Sequence, residues 1–128
     1  KNIAPKKIEQ QLKEIDGVGN AVVIGDRRKY LTALVTIDHD RIEALADKHG
    51  WPEEAEALAE HEGFEAHVDR EVDVINEELA QVETVKKFTI LPDDWSQESG
   101  ELTPTQKVKR RVIEEKFAEE IDAMYPGD

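Results

Sequence analysis

Four cations, Lys107, Lys109, Arg110 and Arg111, fall within five positions directly behind Thr103-Pro104-Thr105, in a chain of 128 residues whose formal net charge is -13. Amine and guanidinium groups gathered this way suit one kind of chemistry: they meet a carboxylate or a phosphate and stabilise charge that builds on it. Thr103, with Pro104 next and Gln106 three residues on, has the form of a helix capping box, and Thr105 is an alternative cap. Behind either cap Val108, Val112, Ile113, Phe117, Ile121 and Met124 recur at helical spacing, which predicts one helix with one apolar stripe. Lys107 is therefore expected at the mouth of that helix, beside unpaired N–H groups and the positive end of the helix dipole. A lysine there is misplaced for stability and well placed to meet an anion. The plainer alternative is a solvated basic helix start whose cations pair with an acidic surface.

The elements that must carry this stretch can be read in chain order. Pro5 suits a first helical position, Ile8, Leu12 and Ile15 form a short stripe, and Gly17 is a natural stop. Ala21 to Gly25 is a short apolar run, and Tyr30 to Ile37 alternates with Leu31, Ala33, Val35 and Ile37 on one side, which predicts two strands joined by a hairpin at Asp26 to Lys29. Asp38 or Asp40 can cap a helix through Ile42, Leu45 and Ala46 that Gly50 ends, and Pro52 with Glu53 and Glu54 opens another short one. Phe64, Val68, Val72, Ile75, Leu79 and Val82 keep steps of three and four, the longest helical pattern in the chain. Val85 to Leu91 supplies a third strand, with Phe88 and Ile90 as its buried side chains and Pro92 as its end. Asp93 to Glu101 reads as a flexible loop, polar apart from Trp95, with Lys107 at the end of that arm. The fold class predicted is α+β, a small sheet of about three strands flanked by four to five helices.

Charge and composition exclude several functions. Between Asp38 and Glu83 there are 16 acids against 3 bases, the whole of the net charge, while the remainder carries 14 of each sign. Such a middle would repel phosphates, and with 5% aromatic residues the chain is not expected to bind nucleic acid. An acidic surface would also suit a salt-adapted host, an idea that unfolding midpoints indifferent to salt would remove. Cysteine is absent and no run of 18 apolar residues occurs, so neither a disulfide framework nor a membrane span is expected. His39, His49, His61 and His67 offer no ligand pair at helical spacing, so no metal site is expected and they read as surface residues. Gly17-Val18-Gly19 lacks the third glycine and the following helix of a dinucleotide loop.

Thr103 to Arg110 resembles the last motif of the AMP-forming adenylating enzymes, the superfamily of acyl-CoA synthetases, firefly luciferase and peptide-synthetase adenylation domains. That motif has the form T-x-x-G-K-x-x-R: Thr103, Lys107 and Arg110 fall in register, and Gln106 stands where most members carry glycine. The fuller string GELTPTQKVKRR, and separately VVIGDRRKYLTALVT, are similar to the long-chain fatty acyl-CoA synthetase branch. Ile3, Pro5, Ile8 and Glu9 match part of another superfamily motif, G-x-x-I-x-P-x-E-I-E, with Lys7 in place of its first glutamate. The resemblance implies that residues 1–128 are a C-terminal lid domain whose N-terminal catalytic domain lies outside this chain. It implies that Lys107 is the mobile lysine of adenylate formation, and that Lys1, Asn2 and Arg110 face substrate or CoA. ATP, Mg2+ and CoA are the cofactors and substrates implied for the full-length long-chain fatty acid-CoA ligase. The isolated fragment is expected to bind none of them and to be inactive. Its partner would be its own N-terminal domain, and its location cytoplasmic, with peripheral membrane attachment of the full protein left open.

The residues themselves support the division of labour. They include no Gly-rich phosphate loop, no acid placed to hold a ribose and no apolar tunnel for an acyl tail, so ATP and fatty acid are expected to bind elsewhere. Two alternatives stand beside this one: the lid of another adenylating enzyme, and a standalone acidic interaction module whose basic stretch docks an anionic partner.

Overall fold

The computed structural model describes residues 5–127. Helix α1 (Pro5–Lys13) leads into a hairpin of β1 (Val18–Ile24) and β2 (Leu31–Ile37), followed by α2 (Ile42–His49), α3 (Ala55–Ala59) and α4 (Glu62–Glu77). A 3-10 turn at Gln81–Glu83 precedes β3 (Val85–Leu91), and α5 (Arg110–Lys116) and α6 (Ala118–Ala123) close the chain. The strand order is β1-β2-β3. β1 and β2 pair antiparallel, Ala21 opposite Val35, and β2 and β3 pair parallel, Ala33 opposite Phe88. A parallel pair needs a crossover, and α2 to α4 supply it.

Period-two alternation sends neighbouring strand residues to opposite faces, and each face has its own core. Leu31, Ala33, Val35 and Ile37 pack with Ile8, Leu12, Phe64, Val68 and Val72 on one side. Val22, Ile24 and Leu34 pack with Trp95, Leu102, Ile113, Ile121 and Tyr125 on the other. The sheet is thus the middle of three layers, and all seven residues of β2 are buried. Its two threonines sit on the second side and are satisfied there: Thr32 Oγ1 donates to the Tyr125 hydroxyl at 3.1 Å and Thr36 Oγ1 to Asp94 Oδ1 at 2.6 Å.

The α+β class and the three strands are as expected, and β3 has the expected bounds. Phe88 and Ile90 are half-buried rather than buried, packed on the first core, while Val85 and Leu91 at the strand ends are buried. Six α-helices stand among the described residues, one more than expected, because the stripe from Val108 to Met124 is not one helix. The backbone leaves helical geometry at Phe117 (φ -112, ψ 31), which separates α5 from α6. Gly17 (φ 96) and Gly50 (φ 72) end their segments in backbone that favours glycine.

Other boundaries shift. Asp38 does not cap α2; its Oδ1 accepts the Asp40 N–H at 3.0 Å in a local turn, and Arg41 holds the cap position without a side-chain bond. The short third helix starts at Ala55, not at Pro52. α4 stops at Glu77, so Leu79 and Val82 lie beyond it and Val82 is 51% exposed. His39 and His49 are exposed, but His61 and His67 are half-buried around Trp51 and Phe64, and His61 Nδ1 caps α4 by accepting the Gly63 N–H at 3.1 Å.

Candidate functional site

The segment from Pro92 to Lys109 contains no helix, and its placement rests on carboxylates. Asp94 Oδ1 accepts from Asn20 Nδ2 at 2.7 Å, from Thr36 Oγ1 at 2.6 Å and from the Trp95 N–H at 2.8 Å. Trp95 follows it into the second core at 4% exposure. The expected flexible arm is therefore an anchored one.

Glu101 is the second anchor, and it is buried. Its Oε1 accepts from the Ser96 N–H at 3.0 Å and from Ser99 Oγ at 2.6 Å, and its Oε2 pairs with Lys116 Nζ on α5. Burial alone would raise the carboxyl pKa; the bonds from Lys116, Ser99 and the Ser96 N–H outweigh it and hold the group at about 2, against 4.5 for the free side chain. Its backbone carbonyl also accepts the Lys109 N–H at 2.7 Å.

On this base stands a small hairpin. Leu102 and Val108 form an antiparallel bridge. The Thr103 N–H donates to the Lys107 carbonyl at 2.8 Å, and the Gln106 N–H to the Thr103 carbonyl at 2.8 Å. Gln106 has φ 69, which makes Thr103 to Gln106 a β-turn, Pro104 at its second position, closed by a left-handed residue of the kind usually filled by glycine. That geometry accounts for the glycine of the T-x-x-G-K-x-x-R pattern: the position asks for positive φ, and Gln106 adopts it.

Lys107 thus sits on a hairpin tip and not at a helix mouth. The Thr103 hydroxyl does accept an N–H, at 3.0 Å, but that of Lys107, so it caps the turn. The helix begins three residues later, at Arg110. The Lys107 side chain is exposed and makes no ion pair among the described residues. An amine so placed is open to a charged group brought against it from outside.

Arg110 is differently placed. Its Nη2 pairs with Glu9 Oε2 at 2.8 Å and its Nη1 donates to the Val23 carbonyl at 2.8 Å, with the side chain 43% exposed. The structure therefore separates the motif's two cations: Lys107 faces outward, and Arg110 turns toward its own domain. Lys1 and Asn2 lie outside the described residues. No group of three or more acidic or histidine side chains among the described residues is arranged to hold a metal ion.

The supports of the hairpin were hard to see from residue types. Glu101 lies inside the GELTPTQKVKRR string but looks like any other acid in an acidic chain, and only its burial marks it. Asp94 gave no signal, since the Thr36 and Asn20 it holds are 58 and 74 residues away.

The family model described as AMP-binding enzyme C-terminal domain matches residues 1–128. The chain is 39% identical over 127 residues to the long-chain-fatty-acid-CoA ligase FadD15 of Mycobacterium tuberculosis, covering 98% of this chain and 21% of that protein. It is 36% identical over 129 residues to the putative fatty-acid-CoA ligase fadD11 of the same species, covering 100% of this chain and 23% of that one. It thus spans about a fifth of the length of the relatives it matches. The fold is shared with the adenylation domain of a carboxylate reductase from Mycobacterium chelonae, with a TM-score of 0.73, 22% identity, and 96% of this chain against 18% of that one covered.

Proposed function

We infer function from one premise: the chain belongs to the family of AMP-binding enzyme C-terminal domains. We propose that it is the lid of an AMP-forming long-chain fatty acid-CoA ligase and that it delivers Lys107 to the reacting phosphate. The observation that carries this reading is an exposed lysine without an ion-pair partner among the described residues, on a hairpin anchored by buried Glu101. Relatives at 39% and 36% identity whose names specify fatty-acid-CoA ligases support the substrate class.

In the first half-reaction a fatty acid carboxylate attacks the α-phosphorus of magnesium-bound ATP held by the N-terminal domain, and pyrophosphate leaves. Negative charge grows on the phosphoryl oxygens, and the Lys107 ammonium, brought against them by lid closure, stabilises it. One such contact is typically worth ~3 to 4 kcal/mol, or roughly 10² to 10³ in rate. In the second half-reaction the lid rotates, Lys107 withdraws, and the CoA thiol attacks the acyl carbonyl of the acyl-adenylate, forming the thioester as AMP leaves; Lys1 and Asn2 are proposed to meet CoA in this step. Arg110, with two nitrogens committed to Glu9 and Val23, is assigned to support of the hairpin and not to substrate. A residue required in only one of two states must be able to leave, and its place on a detachable domain meets that requirement.

No helix among the described residues is long and apolar enough to cross a membrane, and we place the enzyme in the cytoplasm beside ATP and CoA. The test is a product assay on the intact polypeptide with a long-chain fatty acid, ATP, Mg2+ and CoA. Acyl-CoA, AMP and pyrophosphate in equal amounts are expected. Adenylate without thioester would favour another adenylating enzyme, and no ATP consumption would favour an interaction module.

A further inference from the structure

β1 is an edge strand, and residues along its outer side direct backbone N–H and C=O groups where no strand receives them. At Val23 two side chains take the place of a missing strand. Glu9 Oε2 accepts the Val23 N–H at 2.8 Å, Arg110 Nη1 donates to the Val23 carbonyl at 2.8 Å, and Arg110 Nη2 closes the ring on the same Glu9 oxygen at 2.8 Å. Three elements meet there: α1 through Glu9, β1 through Val23, and α5 through its first residue. The Glu9 carboxylate is the enclosed member, with 14% of its side chain exposed against 43% for Arg110. Partial desolvation and shared backbone bonds make such a ring stiffer than a surface ion pair.

Arg110 lies three residues beyond Lys107. The Glu101 staple ties the lysine hairpin to α5 through Lys116, and the ring at Val23 ties α5 to α1. The first bond holds the hairpin's shape and the second its direction. We propose that Glu9 is a positioning residue for Lys107: through Arg110 and Val23 it locks the root of the lysine hairpin to helix α1, so that both move as one body. This deepens, and rests on, the reading of Lys107 given above. The two motif fragments, Pro5 to Glu9 and Thr103 to Arg110, are on this account two ends of one strut. Without Glu9 the hairpin keeps its fold and loses its aim.

The experiment uses the intact enzyme in four forms: wild type, Glu9→Ala, Lys107→Ala and the double variant. Each is assayed for adenylate formation without CoA and for thioester formation from preformed acyl-adenylate. Glu9→Ala is expected to lower kcat of adenylate formation about tenfold, within the range that small misplacements of a catalytic group cause, with KM for ATP unchanged. Added to Lys107→Ala, it is expected to cost nothing more, because its effect passes through the lysine. The thioester rate should stay near wild type and reports that the variants are folded. Should Glu9→Ala fold poorly, Glu9→Gln, which keeps an acceptor for the Val23 N–H, takes its place in the same cycle. An equal loss in both lysine backgrounds, or no loss in either, overturns the proposal. A Lys107→Ala enzyme with wild-type adenylation overturns the reading of the lysine itself, and that outcome is distinct from the other two.

Discussion

Replacing Glu101 by Gln removes one charge and almost no volume from the base of the lysine hairpin. The carboxyl is held at about 2 in the folded chain against 4.5 when free. At about 1.4 kcal/mol per pH unit, that difference is worth roughly 3 kcal/mol of stability. Its folded pKa is the lower one, so the contribution is complete above 4.5 and disappears as pH falls through 2. Urea unfolding of wild type and Glu101→Gln across pH 3 to 7 measures it directly. At pH 7 the variant should be less stable by up to roughly 3 kcal/mol, the upper value applying if the amide recovers none of the bonds from Ser96 and Ser99. The gap should narrow to less than half by pH 3, because the wild type loses stability that the variant never had. A gap that stays constant with pH would show that shape and not ionisation sets the cost, and no gap at pH 7 would refute the staple.

Two further changes probe the same layers. Gln106→Gly relieves a left-handed residue that costs about 1 kcal/mol for most side chains; it should leave the unfolding midpoint unchanged or raised, whereas Gln106→Ile should lower it. Tyr125→Phe removes a hydroxyl that donates to the Tyr30 carbonyl at 2.7 Å and accepts from buried Thr32. Leaving such groups unpaired should cost about 1 to 3 kcal/mol in chemical denaturation.

Legibility followed the range of the interactions. β3 could be bounded from sequence because Pro92 and the run itself are local signals. The end of α2 was legible because Gly50 takes up the left-handed cap that closes it. The start of α5 was not, because Thr-Pro-Thr satisfies two motifs at once: Pro104 suits the second position of a turn as well as the first of a helix. The turn prevails, since the Leu102 to Val108 bridge and the buried Glu101 hold it. Trp95 looked like a loop residue because its neighbours are polar, and the core that buries it comes from Ile113, Met124 and other distant residues. The alternation of β2 concealed the second core for a related reason. The sequence marks only Leu31, Ala33, Val35 and Ile37 as one packed side, and hydrogen bonds to Tyr125 and Asp94 let Thr32 and Thr36 be buried on the other. Lys107 stood out through the resemblance of Thr103 to Arg110 to a known motif, whereas the contacts of Glu9 with Arg110 and of Glu101 with Lys116 needed the three-dimensional structure to be recognised.

One comparison tests the central claim most directly: the two half-reactions of the intact enzyme measured separately for wild type and Lys107→Ala. The account predicts that adenylate formation falls by roughly 10² to 10³ while thioester formation from preformed acyl-adenylate stays near the wild-type rate. Equal loss in both steps, or a variant that forms adenylate normally, would contradict it.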